Sequence, residues 1–524
     1  MKQYHYLLFL LLLSLACTAS RHASAGGRYS ETHRPQFHFS PEQHWMNDPN
    51  GMVYYDGEYH LFYQYYPGAT VWGPMHWGHA VSTDLVHWTH LPIALYPDNT
   101  LGMIFSGSAV VDWNNSSGLG RGGKPPLVAI FTQHLMAGEK AGRHDFQTQS
   151  IAYSNDRGRT WTKYAGNPVI PNTGAIHDFR DPKMFWDKGS RQWVMVMAAG
   201  DHVKIWGSPD LKHWVHLSDF GREWGAHGGV WECPDLFRLP VEGSTEQKWV
   251  LLLSINPGAP NGGSGTQYFV GDFDGKTFVP DPSFVPSITK GNGLWIDYGR
   301  DNYAGVTWSD IPEQDGRRLF LGWMGNWDYA QVVPTGAWRS AMTLPRSLSL
   351  RRSSEGYRLF STPVRELQRL RQKAQPIPAG AIEGTRDLPA PMPLLELDLS
   401  LDWSGAQKAA PLGLELFNAK GERLRLGYDP AAHELFMDRT QSGKLDFSPK
   451  FSSKDRAPYR ADGQGLRLHV FVDLASVEVF ADEGGGVMTG IFFPTENYTG
   501  LRVFSESEGA RVVAGTAWPL KKIW

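Results

Sequence analysis

Ser82-Thr83-Asp84-Leu85-Val86-His87-Trp88 returns further along the chain as Ser208-Pro209-Asp210-Leu211-Lys212-His213-Trp214. Ser154-Asn155-Asp156-Arg157-Gly158-Arg159-Thr160-Trp161 is a looser copy, and Gly271-Asp272-Phe273-Asp274-Gly275-Lys276-Thr277-Phe278 a fainter echo. Successive copies start 72, 54 and 63 residues apart, at positions 82, 154, 208 and 271. Between them, short apolar and aromatic runs alternate with Gly, Pro, Asn and Asp turns, and helical periodicity is nearly absent. That texture predicts an all-β protein. Units of about 40–70 residues suit the four-stranded blades of a β-propeller, which present only short, protected edges. Residues 34–361 have room for five blades, so a five-bladed β-propeller is expected there.

A second repeat runs inside the first. Asp48-Pro49 precedes an aromatic run at 52–55, the turn Asp56-Gly57 and a further run at 59–63. Asp181-Pro182 and Glu232-Cys233-Pro234 each introduce the same order of strand, turn and strand. An acid before a proline is often only a turn former. Three of them at matching positions of three blades would be carried by radial symmetry to one end of the central channel, so Asp48, Asp181 and Glu232 are expected to meet.

Past the blades, Val364, Leu367 and Leu370 stand at helical spacing, which predicts a short linker helix within 362–375. Beyond it Leu395, Leu397, Leu399 and Leu401 alternate with polar residues, as do Leu466, Leu468, Val470 and Val472. Period-two patterning marks half-buried antiparallel strands. A β-sandwich over 376–524 is the reading.

A chain of 524 residues exceeds the roughly 250–300 at which single cores stop growing, which agrees with two domains. The net charge of −3 argues against a nucleic-acid partner, since such proteins concentrate basic surface. The 21 tryptophans either fill β cores or serve as platforms for sugar rings. Lys2, the apolar run from Leu7 to Ala16 and Ala23-Ser24-Ala25 compose a signal peptide over 1–25. The run is too short to span a bilayer, which takes about 20 residues. Export to the periplasm, cell surface or medium is therefore expected. Ser14-Leu15-Ala16-Cys17 loosely resembles a lipoprotein box with Ser and Leu in the opposite order, which keeps a lipid anchor at Cys17 open as the only membrane attachment. Cys233 is the other cysteine; loss of Cys17 with the leader would leave no internal disulfide, and a core this large needs none.

Glycoside cleavage needs an acid to protonate the departing oxygen and a carboxylate at the anomeric carbon; a pair about 5–5.5 Å apart implies retention through a covalent intermediate. The chain resembles glycoside hydrolase family 32, the invertases, inulinases and levanases. Trp45-Met46-Asn47-Asp48-Pro49-Asn50-Gly51 matches the sucrose-cleavage signature, and Arg180-Asp181-Pro182 and Glu232-Cys233-Pro234 match the other two motifs in order. Supporting matches are Tyr63-Gln64, Trp72-Gly73, Phe105-Ser106-Gly107-Ser108, the stretch from Trp323 to Trp327, and the sandwich motif from Asp473 to Phe480. The likeness runs from about Arg34 to the end.

The resemblance implies Asp48 as nucleophile, Glu232 as general acid/base and Asp181 as transition-state stabiliser. It implies that Asn47, Gln64, Trp72, Phe105, Ser106, Arg180 and Trp327 line the pocket for the terminal fructose. It also implies an oligo- or polysaccharide substrate, no cofactor and no catalytic metal, so His76, His79, His87 and His90 are expected to be structural. Cys233 is expected to be a small buried packing residue.

Other readings exist. Residues 154–161 fit the Asp box of sialidases, but no tyrosine-nucleophile or arginine-cluster motif accompanies them. A non-catalytic fructan-binding protein would not need all three acids. Within the enzyme class, residues 256–265 form a Gly-rich loop, and Gly271-Asp272-Phe273-Asp274-Gly275 resembles the fructan-degrading branch. Exo-hydrolysis of levan or inulin with side activity on sucrose is the expectation, with endo-levanase the alternative.

Overall fold

The computed structural model describes residues 29–173 and 176–524; the expected leader and Cys17 lie outside them. Among the described residues, five antiparallel sheets precede residue 364. Their inner strands are His44–Tyr55, Met103–Val111, Phe179–Asp187, Val230–Pro240 and Tyr303–Thr307. These five touch one another in ring order, and the last closes on the first. A late strand, Trp338–Arg339, ties the ring by pairing in parallel with His44 and Trp45. Closure of this kind leaves few unpaired strand edges.

The repeated Ser-x-Asp-Leu motif is the turn between the third and fourth strands of a sheet. Ser82–Trp88 links His76–Ser82 to Thr89–Leu95, and Ser208–Trp214 links Val203–Ser208 to Val215–Phe220. In both turns the aspartate carboxylate accepts two backbone N–H groups, Asp84 from Val86 and His87 and Asp210 from Lys212 and His213. Leu85 and Leu211 take the same left-handed conformation, with φ of 65° and 64°. The carboxylate satisfies donors that the reversing backbone would otherwise leave open, which explains why the turn recurs as a unit.

After residue 363 the structure has a short helix within the expected segment. It is a 3₁₀-helix, Arg365–Leu370. Val364, Leu367 and Leu370 are buried, and their constant spacing of three matches three residues per turn rather than 3.6. Beyond it, a seven-stranded and a six-stranded sheet face each other over a leucine-rich core. The two alternating runs pair directly: Leu395, Leu397, Leu399 and Leu401 lie opposite Val472, Val470, Leu468 and Leu466.

Propeller and sandwich are joined by buried ion pairs. Arg346 reaches Glu478 at 2.5 Å and Asp297 at 3.0 Å. His38 bridges Asp473 at 2.8 Å and Glu478 at 3.1 Å. Glu478 also accepts the Leu344 N–H, and Asp473 the backbone N–H groups of Gln36 and Phe37. Arg439 of the sandwich meets Asp301 of the propeller at 2.8 Å. Each charge has a partner, which its burial requires.

Burial lowers the pKa of His38, but the carboxylates of Asp473 and Glu478 outweigh it and hold His38 at about 9. A histidine whose pKa rises on folding adds stability that is complete below its unfolded value near 6.5 and fades as pH climbs through the folded value. His38→Gln should therefore be less stable than the parent at pH 6, on the order of a few kcal/mol. The deficit should shrink towards pH 10, as read by thermal unfolding at several pH values. A deficit independent of pH would show that packing, not charge, sets its role.

Candidate active site

All five inner strands carry a β-bulge at the same height. Between Met46 and Pro49 the strand advances three residues while its neighbour advances two, from Tyr65 to Tyr63. The same slip separates Ile104 from Gly107, Arg180 from Lys183, Glu232 from Asp235 and Tyr303 from Val306. A bulge bends the strand and re-aims its side chains. Here it turns Asp48, Ser106, Asp181 and Glu232 into one pocket of about 300 Å³. Asp181 and Cys233 sit at the slip with φ of 63° and 46°.

The register corrects one expectation. The three acids meet, but not at matching positions. Glu232 stands just before its bulge, Asp181 is the first residue inside one, and Asp48 the second. The bends, rather than strict radial equivalence, bring them together. The true equivalents of Glu232 on the adjacent strands are Arg180 and Tyr303, and both hydrogen-bond it. Arg180 donates from Nε and Nη2 to Glu232 Oε1 at 3.2 and 3.0 Å. Tyr303 donates its hydroxyl to Oε2.

Fixed donors meet the other two acids as well. Asn47 Nδ2 donates to Asp48 Oδ1 at 2.9 Å and Ser106 Oγ to Asp48 Oδ2 at 2.8 Å. The Trp45 indole N–H, 2.7 Å from Asn47 Oδ1, fixes which way that amide faces. Asp181 Oδ2 accepts the Cys233 backbone N–H at 3.0 Å. The Cys233 sulfur lies 3.7 Å from both Asp48 Oδ2 and Asp181 Oδ2. Cys233 is thus buried, as expected, but it is also a spacer and weak donor between two acids. Burial and the surrounding carboxylates push its thiol far above the ordinary range, so it stays protonated.

Burial raises the Asp48 carboxyl and the Glu232 charge adds to this, against the donors from Asn47 and Ser106. Asp181 is pushed up to about 7 by burial and by Glu232 and Asp48, against the pull of Arg180 and the Cys233 N–H.

All ten residues singled out from the sequence line this one pocket. Trp72 and Phe105 meet edge to face at 6.1 Å, and Phe105 stacks on His134 at 4.4 Å. Gln64 is buried, and its Nε2 has no hydrogen-bond partner among the described residues. Sequence reasoning missed His134, Glu139, Gln147, Asp178 and Gln331 on the pocket wall, and Tyr303 beneath Glu232. Asp178 could have been found, because it stands two residues from Arg180 and so shares its side of an extended chain; Arg180 Nη1 contacts it at 2.5 Å. Nothing in the sequence marks His134 and Gln147, which face each other across neighbouring strands. His76, His79, His87 and His90 have local partners instead: His79 with His60, His87 with Asp84, His90 with Tyr29 and His76 with the Pro74 carbonyl. No cluster of three metal ligands occurs among the described residues.

Residues 38–363 match the sequence profile "Glycosyl hydrolases family 32 N-terminal domain", and 366–519 match "Glycosyl hydrolases family 32 C terminal". The chain belongs to glycoside hydrolase family 32. A levanase of Bacillus subtilis is 50% identical over 530 residues, covering 99% of this chain and 74% of that protein. An extracellular exo-inulinase of Aspergillus niger is 42% identical over 505 residues, covering 91% of this chain and 92% of its own. Among solved structures, an exo-inulinase from Aspergillus awamori superposes with a TM-score of 0.86 at 37% identity, covering 95% of this chain and all of that one (100%). A β-fructofuranosidase of Schwanniomyces occidentalis complexed with fructosyl-erythritol gives 0.84 at 33% identity, covering 95% and 99%. The family 32 chain is thus a glycosidase, a retaining hydrolase that releases fructose from β-fructofuranosides, built as a β-propeller followed by a β-sandwich.

The crowding of acids in this family 32 pocket has a thermodynamic signature. A carboxylate whose pKa rises on folding takes stability away as pH climbs from its unfolded value near 4 through its folded value. Asp181→Asn removes that loss while keeping an oxygen for the Cys233 N–H. The variant should match the parent in Tm near pH 4 and exceed it by a few degrees at pH 8, a difference on the order of a few kcal/mol. Equal melting at both pH values would contradict the raised carboxyl at Asp181.

Proposed function

We propose that this chain is an exo-acting β-fructosidase that removes terminal fructose from levan or inulin and cleaves sucrose as a side activity. In this reading Asp48 attacks the anomeric carbon, Glu232 protonates the departing oxygen, and a fructosyl-enzyme forms. Glu232 then takes a proton from water, which releases fructose and frees Asp48. Asp181 holds ring hydroxyls by hydrogen bonds that strengthen as positive charge grows on the sugar. The carrying observation is the convergence of these three carboxylates, each with fixed donors, on one pocket of about 300 Å³. A pocket that size takes a sugar ring or two, which suits attack at chain ends. Gln64 offers a free donor for a hydroxyl, and Trp72 and Trp327 offer apolar walls.

Asp48→Asn should lower turnover by several orders of magnitude, as loss of a nucleophile commonly does, while the fold stays intact. Near-normal turnover would remove Asp48 from the role. Glu232→Ala should slow natural substrates most. Azide should rescue its second step and give a fructosyl azide of the substrate's own configuration; the opposite configuration would overturn the assignment. Asp181→Asn should stay slow even with an activated leaving group, whereas recovery there would make Asp181 the acid.

Chromatography of levan and inulin digests tests the mode: fructose alone supports exo attack, and a ladder of oligosaccharides would make the chain an endo-levanase. Fructose release from sucrose excludes a mere binding protein. Export accords with the leader-like residues 1–25 and with the extracellular exo-inulinases among the relatives. Mass spectrometry of the mature N-terminus reads it: a start after Ala25 supports secretion, and a lipid-modified Cys17 supports an anchored form.

A further inference from the structure

The inner strands that carry the acids continue past them to a second and larger cavity. It measures about 850 Å³ and is lined by residues further along the same strands, from Lys183 to Asp187 and from Asp235 to Arg238. Extended chain advances about 3.3 Å per residue, so this cavity opens at the end of the channel away from Asp181 and Glu232. The catalytic account makes no use of it.

Its walls combine two kinds of surface. One is aromatic. Trp186 is 37% exposed and braced edge-on by Trp193 at 5.3 Å. Phe185 packs on Trp249 at 5.6 Å, and both are only half-buried. Trp113, 60% exposed, adjoins the cavity through its indole N–H, 2.9 Å from Asp310 Oδ1. Trp113 and Trp186 are the two tryptophans among the exposed large hydrophobic residues described, and both stand at this mouth. The other surface is polar and of mixed sign. Arg318 lies over the Phe237 ring at 5.0 Å, and its guanidinium makes no hydrogen bond to a described residue. Arg238 and Gln247 are exposed on the same wall. Deeper groups are already tied, Lys183 to the Thr307 carbonyl and Asp235 to the Thr307 N–H and hydroxyl.

Flat aromatic faces beside unfilled planar donors suit a neutral polyol: apolar C–H faces stack on the rings while hydroxyls accept from guanidinium groups. A site for an anion would need a surplus of cations, but Asp187, Asp274 and Glu313 also line this cavity. We propose that this far mouth is a second, non-catalytic carbohydrate site that holds a segment of a fructan chain whose end is processed at Asp48. The proposal rests on the fructan reading of the active site. It gives the enzyme a hold on the polymer that sucrose, with two rings, cannot exploit from both sites at once.

The test uses the full chain. In native gels cast with levan, Asp48→Asn protein should be retarded, and adding Trp186→Ser or Trp113→Ser should relieve part of the retardation. In otherwise active protein, either tryptophan change should raise KM for levan by about 3–10-fold, the worth of one aromatic contact. Unchanged kcat/KM on sucrose should accompany it and certifies the fold. Unaltered retardation and levan KM in both variants would overturn the site. A dimer seen by light scattering and lost in Trp186→Ser, with levan binding intact, would also overturn it and assign the face to a second copy. Failure of the parent enzyme to release fructose from any fructan would instead strike the catalytic reading.

Discussion

Asp48, Asp181 and Glu232 repel one another within one partly desolvated pocket, and most of what surrounds them answers that repulsion. Arg180 places a permanent cation between Glu232 and Asp178. Asn47, Ser106, Tyr303 and the Cys233 N–H aim fixed donors at the carboxylates. With Arg180, these groups come from five different sheets. The ring of strands is thus the device that lets one small volume draw donors from residues far apart in sequence. The acids also differ in their settings: Asp181 is pushed to about 7, while Asp48 keeps two neutral donors. Carboxylates with separate environments can take separate roles.

The same logic governs the join to the sandwich. Arg346, Arg439 and His38 are buried charges that would be costly alone, and each finds its carboxylate across the domain boundary. Such pairs add little net stability over apolar packing, but they penalise misplacement, because any slip strands a charge. The sandwich therefore fixes the orientation of the segment at 36–38, which leads directly into the strand that bears Asp48.

Several of these features were legible in the sequence. The repeated Ser-x-Asp turns gave away the sheets because a carboxylate capping a reversing backbone leaves a residue pattern. The alternating leucines of the sandwich were readable for the same reason, and Leu395–Leu401 does pair with Leu466–Val472. The acids were readable as motifs, but their register was not. A bulge inserts one residue without any obligatory residue type, so nothing in the text of the chain shows that Tyr303 is the structural counterpart of Glu232. His134 and Gln147 were hidden likewise, since cross-strand neighbours carry no shared spacing. The spacing of Val364, Leu367 and Leu370 was legible as a short helix, and its strict period of three is that of a 3₁₀ turn.

The parallel pairing of His44 and Trp45 with Trp338 and Arg339 has a bearing on biogenesis. The strand carrying Asp48 is the first of the propeller to be synthesised, yet its edge is completed only by residues made tens of seconds later at ordinary translation rates. Until then the strand, paired on one side with Glu58–Tyr66, has its other edge open. Gln36 and Phe37 wait longer still, for Asp473. A polypeptide wired in this way stays unfinished until Asp473 has been made, and a chain that cannot close early remains threadable through a membrane pore.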